Sequence, residues 1–155
     1  MSEARLLIIA HDPSPNLARM AGALLEGARG EAVEATRARH VRPLEAGPDD
    51  VLAADGLILC TPENLGYMSG ALKDFFDRSY YACLDRTDAL PYALVIRAGK
   101  DGTGTRRAVE SIASGLNWKP VQEPLICHGQ WQEGFIEQCR ELGELMAVGL
   151  ENDIF

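Results

Sequence analysis

The chain of 155 residues is 46% hydrophobic and 25% charged, enough apolar material for one core but too short for two comfortable domains, so a single domain over residues 1–155 is expected. A formal net charge of -8 argues against a nucleic-acid partner, because binding to a phosphate backbone runs on basic patches and counter-ion release. The opening residues lead straight into the short apolar run Leu6–Ala10, too short for a signal segment or a membrane span, so a cytoplasmic location without membrane contact is expected.

Leu6–Ala10 is a continuous apolar run of the kind buried on both faces of a parallel sheet. The polar loop His11-Asp-Pro-Ser-Pro-Asn16 follows. Leu17, Met20, Ala21, Leu24, Leu25 and Ala28 then repeat on one helical face, with Asn16 as the expected N-cap and Gly30 as the stop. A weaker, more polar strand is expected around Glu31–Arg37, and the basic cluster Arg37, Arg39, His40 and Arg42 suits a solvated strand end or loop. A short helix spans Asp49–Ala54 with Asp49 or Asp50 as its cap.

Gly56–Cys60 is a second fully apolar run, followed by the polar loop from Thr61 and a helix carrying Leu72, Phe75, Phe76, Tyr80 and Cys83. Tyr92–Ile96 is a further strand, then comes the Asp101-Gly-Thr-Gly-Thr105 loop and a helix with Ala108, Val109, Ile112 and Leu116. Leu125–Cys127 and a helix over Gly134–Leu150 close the pattern. Cys60, Cys83, Cys127 and Cys139 lack metal-binding spacing and read as buried free thiols, and no metal site is expected.

Strands alternating with helices require right-handed crossovers. The expected fold class is therefore α/β, with helices on both faces of a parallel sheet. Periodicity does not fix the strand order, but five strands in so short a chain suit a flavodoxin-like three-layer sandwich with a five-stranded parallel sheet of order 2-1-3-4-5 better than the longer six-strand Rossmann order. That order places the switch point between the first and third strands, so the loops after Ala10 and Cys60 flank one crevice.

Three loops share that sheet edge. In the first, Ser14 and Asn16 offer side-chain donors, and the amides of Asn16, Leu17 and Ala18 sit at a helix amino end suited to a phosphate. Pro13 and Pro15 stiffen this loop while removing two amides, and His11 either hydrogen-bonds the ligand or closes the turn. In the second loop, Pro62 and Gly66 shape the backbone and Glu63 and Asn64 offer polar edges to a flat heterocycle. Tyr67 and Met68 beside them are either apolar ring contacts or packing groups. In the fourth-strand loop, Gly99, Gly102, Thr103 and Gly104 either approach the ring closely or form a flexible turn. Phosphate cradle, heterocycle platform and glycine-rich cover together make the layout of a flavin mononucleotide site.

Thr61-Pro-Glu-Asn-Leu-Gly-Tyr-Met-Ser-Gly-Ala-Leu-Lys73 resembles the Pro-Glu-Tyr/Asn-x-Gly-x-x-x-Gly-x-Leu-Lys signature of the flavodoxin-like NAD(P)H-dependent FMN reductase and quinone reductase superfamily. The resemblance covers nearly the whole chain, and Met68-Ser-Gly70 is the variant typical of multimeric-flavodoxin quinone reductases. It implies that Ser14 and Asn16 with their neighbours bind the FMN phosphate and that Pro62 to Met68, Leu65 included, line the isoalloxazine. It also implies that hydride passes from NAD(P)H to flavin N5 and on to a quinone or similar small-molecule acceptor, with the flavin carrying the chemistry and no catalytic side chain.

A homodimer or higher homo-oligomer is expected, from the family and from Phe75, Phe76, Tyr80 and Tyr81, which spread over more than one helix face. His11 departs from the small or hydroxylic residue common in the family. The alternatives are a flavodoxin-type electron carrier, or a flavodoxin-like scaffold that has lost flavin.

Overall fold

Alternate side chains of β1 (Arg5–Ala10) enter two different cores, and this divides the molecule into layers. Leu6, Ile8 and Ala10 pack against α1 (Pro15–Ala28) and α5 (Gly134–Glu151), whereas Leu7 and Ile9 face α2 (Pro48–Leu52), α3 (Gly70–Cys83) and α4 (Thr103–Gly115). The computed structural model describes residues 3–155. Its other strands are β2 (Arg37–Val41), β3 (Gly56–Asn64), β4 (Tyr67–Met68), β5 (Pro91–Ala98), β6 (Lys119–Pro120) and β7 (Leu125–His128).

The sheet runs β2-β1-β3-β5, with β6 and β7 pairing in turn along the outer side of β5. Every pairing is parallel except the β3–β4 hairpin. With β5 and β7 as the fourth and fifth principal strands, this is the expected 2-1-3-4-5 order; β4 and β6 are short additions. No helix among the described residues is long and apolar enough to cross a membrane.

Several boundaries differ from expectation. The second strand starts at Arg37 and runs to Val41, because residues 31–36 form a turn instead. As an edge strand it buries only Ala38 fully, so its sequence stays polar and its apolar signal is weak. Ser14, not Asn16, caps α1: it is extended at φ -133, its Oγ accepts from the Leu17 amide at 3.3 Å, and Pro15 takes the first helical position. Gly47 opens α2, and the Asp50 carboxylate accepts the Gly47 N–H at 2.9 Å. Phe75 and Phe76 are both buried in their own core, while Tyr81 is 84% exposed.

Two glycines let α1 and α5 touch backbone to backbone. A Cβ on Gly27 would overlap the Arg140 carbonyl of α5, and one on Gly143 would overlap the Leu24 carbonyl of α1. At the far end of α5, the Glu151 side chain lies in a residue only 1% exposed and accepts the N–H groups of Glu34 (3.0 Å), Ala35 (3.0 Å) and Thr36 (2.9 Å). Burial alone would raise the Glu151 pKa, but those backbone donors outweigh it and bring the value from 4.5 down to about 2.

Gly143→Ala is expected to destabilise the protein by about 1–3 kcal/mol, seen as a lower midpoint in urea denaturation, because neither backbone can yield without separating the helices. Because the folded-state pKa of Glu151 lies below its ordinary value, its stabilisation is complete above pH 4.5 and is lost as pH falls toward about 2. Glu151→Gln should therefore lower stability at neutral pH and flatten the acid limb of the stability profile over that window.

Candidate functional site

Parallel strands and right-handed crossovers bring the amino ends of the major helices to the carboxyl edge of the sheet. There the first, third and fourth-strand loops meet. The His11 amide donates to the Cys60 carbonyl at 2.9 Å, joining the first loop to β3. The Lys100 amide donates to Glu63 Oε1 at 3.2 Å, joining the fourth-strand loop to the hairpin. Gly104 packs so closely on the Gly66 carbonyl that a Cβ there would overlap it.

The hairpin pairs Glu63 with Met68 and Asn64 with Tyr67, leaving Leu65 and Gly66 as a two-residue turn. Both have positive φ, 53° and 75°, as a type I′ hairpin requires; leucine is an unfavourable residue there. The pairing also separates the two apolar candidates by burial. Met68 is buried in the α3–α4 core and serves packing, whereas Tyr67 is 40% exposed and Leu65 fully so. Pro62 is buried, Glu63 half-buried and Asn64 exposed. Thr61 Oγ1 accepts the Ser69 amide at 3.0 Å, and Ser69 Oγ accepts that of Leu72 at 3.2 Å, fixing the hairpin to the start of α3.

The first loop offers fewer free donors than expected. Ser14 occupies the Leu17 amide with its Oγ and the Ala18 amide with its carbonyl, and Leu17 buries its side chain in the α1–α5 core. Pro15 has no N–H, so Asn16 carries the first-turn amide that neither cap bond uses. Asp12 turns toward Arg42, whose Nε donates to it at 2.9 Å, and its charge is matched there. In the fourth-strand loop, Gly99 and Thr103 are exposed, Gly104 is half-buried, and Gly102 is buried at φ 71 as the N-cap of α4.

Charge at this edge follows a pattern. α1, α3 and α4 carry no acidic residue in their first turns, while α2 has Asp49 and Asp50 and α5 has Glu137. In a chain with 23 acidic residues, the uncompensated positive ends of α1 and α3 favour an anion, whereas Asp101 accepts the Thr103 N–H at 3.0 Å and so occupies the end of α4. His11 Nδ1 and Thr105 Oγ1, both in or beside the converging loops, are buried polar atoms without a hydrogen-bond partner among the described residues. Burial lowers the His11 pKa below 6.5 despite the opposing charge of Asp12, leaving the ring neutral at pH 7. These residues fit a planar group with an anionic tail.

Cys60, at the base of the crevice, has its thiol pushed up to about 12 by burial and is no nucleophile. All four cysteines are free and buried, and no metal-binding cluster occurs among the described residues.

Sequence reasoning missed the loop after β7, which brings Trp131 and Glu133 beside Arg19 of α1 and Arg97 of β5. The available signal was the single charge at Arg97 inside an apolar strand.

The fold is flavodoxin-like: an archaeal flavodoxin structure superposes with a TM-score of 0.79 at 14% identity, covering 94% of this chain and 98% of that one. The family model described as NADPH-dependent FMN reductase matches residues 14–132, and the chain belongs to that family. A flavodoxin of Aquifex aeolicus (strain VF5) is 40% identical over 47% of this chain and 38% of its own length. An NAD(P)H dehydrogenase (quinone) of Acidithiobacillus ferrooxidans (strain ATCC 53993 / BNL-5-31) is 32% identical over 49% of this chain and 47% of its own. The matched part is thus under half the length of either curated relative.

Leucine in the left-handed region costs roughly 1–2 kcal/mol, and such strain concentrates at functional sites. Leu65→Asn is expected to raise the denaturation midpoint by the equivalent of about 1 kcal/mol, because asparagine tolerates this conformation. Leu65→Val should lower it.

Proposed function

We propose that this chain binds FMN at the carboxyl edge of its sheet and uses it to pass reducing equivalents from NAD(P)H to a quinone or similar small-molecule acceptor. The observation that carries this reading is the pair of acid-free helix ends beside the crevice, those of α1 and α3, in a member of the FMN reductase family. The bound flavin would supply hydride and electron transfer, a chemistry no side chain here offers.

The chain's own contribution is position and electrostatics. The Asn16 amide and the positive end of α1 hold the phosphate, and the Ser14 hydroxyl, while accepting from Leu17, keeps its proton to donate. The backbone of Pro62–Gly66 and the exposed side of Tyr67 receive the ring, with Gly99, Gly102, Thr103 and Gly104 on the facing loop. Neutral His11 adds a hydrogen-bonding group without adding charge.

A flavodoxin-type carrier is the second reading, favoured by the 40% identical flavodoxin and by a charge of -8 that suits a basic redox partner. Oxidation of NADPH or NADH with a benzoquinone acceptor separates the two: a reductase turns over alone, and a carrier does so only with a partner enzyme. A protein that binds no FMN and neither oxidises NAD(P)H nor carries electrons would sink both readings. Ser14→Ala with Asn16→Ala is expected to weaken FMN roughly tenfold, the worth of one or two hydrogen bonds, while riboflavin binding changes little. Fluorescence titration of both ligands measures this.

A further inference from the structure

We propose that Arg97 is the counter-charge for the phosphate end of the bound flavin, with Trp131 and Phe135 positioning its guanidinium; the assignment rests on the FMN reading above. Arg97 is the one charged residue of β5. The parallel register sets it beside Pro62, where the platform begins, and beside Cys127 on the other side. Strand alternation puts it on the face of Ala93 and Val95, the face covered by α1 and α5. It therefore stands at the same sheet edge as the hairpin, on the face that carries α1, and Trp131 links it to Arg19 of that helix.

Its surroundings hold the cation without neutralising it. Nη1 donates to the carbonyls of Ala98 (2.9 Å) and Cys127 (3.0 Å), and Cζ lies 5.3 Å from the Phe135 ring centroid and 5.7 Å from that of Trp131. The nearby carboxylate, Glu133, is taken: it receives both Nη1 and Nη2 of Arg19 at 2.9 Å and the Trp131 indole N–H at 2.7 Å. Arg19 also lies 5.7 Å from the Trp131 ring, so α1, the loop after β7 and β5 are joined through one aromatic.

Among the described residues, Arg97 makes no ion pair. Carbonyl and ring contacts are weaker than a full counter-ion, and a half-buried guanidinium against apolar rings normally has one.

A ligand phosphate would complete this arrangement. Two prolines and the Ser14 cap leave few first-turn amides for the anion, and a chain of net charge -8 repels a phosphomonoester unless a local cation compensates. Asp12 is held by Arg42 and Glu133 by Arg19, so neither is free to pair with Arg97.

The test titrates flavin-free protein with FMN and with riboflavin at two salt concentrations, for wild type, Arg97→Met and Arg97→Lys, with thermal melts confirming folding. Arg97→Met should weaken FMN at least about tenfold, one charge-assisted contact, leave riboflavin within about twofold, and reduce the salt dependence of FMN binding. Arg97→Lys should retain the salt dependence with intermediate affinity. Equal losses for the two ligands, the signature of a merely structural role, would overturn the assignment, as would unchanged FMN affinity. If Arg97→Met does not fold, Arg97→Lys carries the comparison by the same criterion. Wild type that binds neither flavin overturns the FMN reading and this assignment together, whereas wild-type FMN binding untouched by the substitutions overturns the assignment alone.

Discussion

Parallel pairing is the constraint from which the rest of this molecule follows. A parallel strand must return through a crossover, and right-handed crossovers place helices on both faces with their amino ends at the carboxyl edge of the strands. Here the chain winds one way from β1 to β2 and the other way from β3 onward, so the edge splits between β1 and β3. The backbone bond from His11 to Cys60 spans that split. The crevice is thus a product of strand order before any side chain is considered.

The helices must also sit close enough for their ends to converge. Gly27 and Gly143 allow α1 and α5 to meet at backbone distance, which fixes the helix that carries Ser14 and Asn16. Glu151 ties the other end of α5 to the turn before β2 through backbone donors. These contacts lie away from the crevice, so the rigid part of the molecule and the strained part are separate. The strain sits in the Leu65-Gly66 turn, at the tip of the hairpin and open to solvent.

Electrostatics completes the edge. An acidic chain repels anions at long range, yet α1 and α3 beside the crevice omit the first-turn acids that α2 and α5 carry. Potential at the site is set locally, by helix ends and by Arg97, rather than by net charge.

How much of this was legible in the sequence varies by element. Leu6–Ala10, Gly56–Cys60 and Tyr92–Ile96 announced central strands because both of their faces are buried, and α1 and α5 announced themselves by helical period. β2 did not, since an edge strand with one fully buried residue has little apolar pattern. The Pro62–Met68 motif and the first loop marked the crevice, but local pattern could not say whether Met68 or Tyr67 faces outward; the hairpin register decided that. By itself, then, the sequence determined the layered α/β class, because periodicity and crossover handedness act locally; the strand order, and with it which loops share an edge, was an expectation from chain length that the strand pairing bears out. Tertiary structure alone decided that Ser14 occupies the Leu17 amide, that Asp12 turns to Arg42 and that Arg97 stands beside Trp131 with no ion pair among the described residues. Those outcomes depend on contacts between residues far apart in the chain, whose partners no local pattern names.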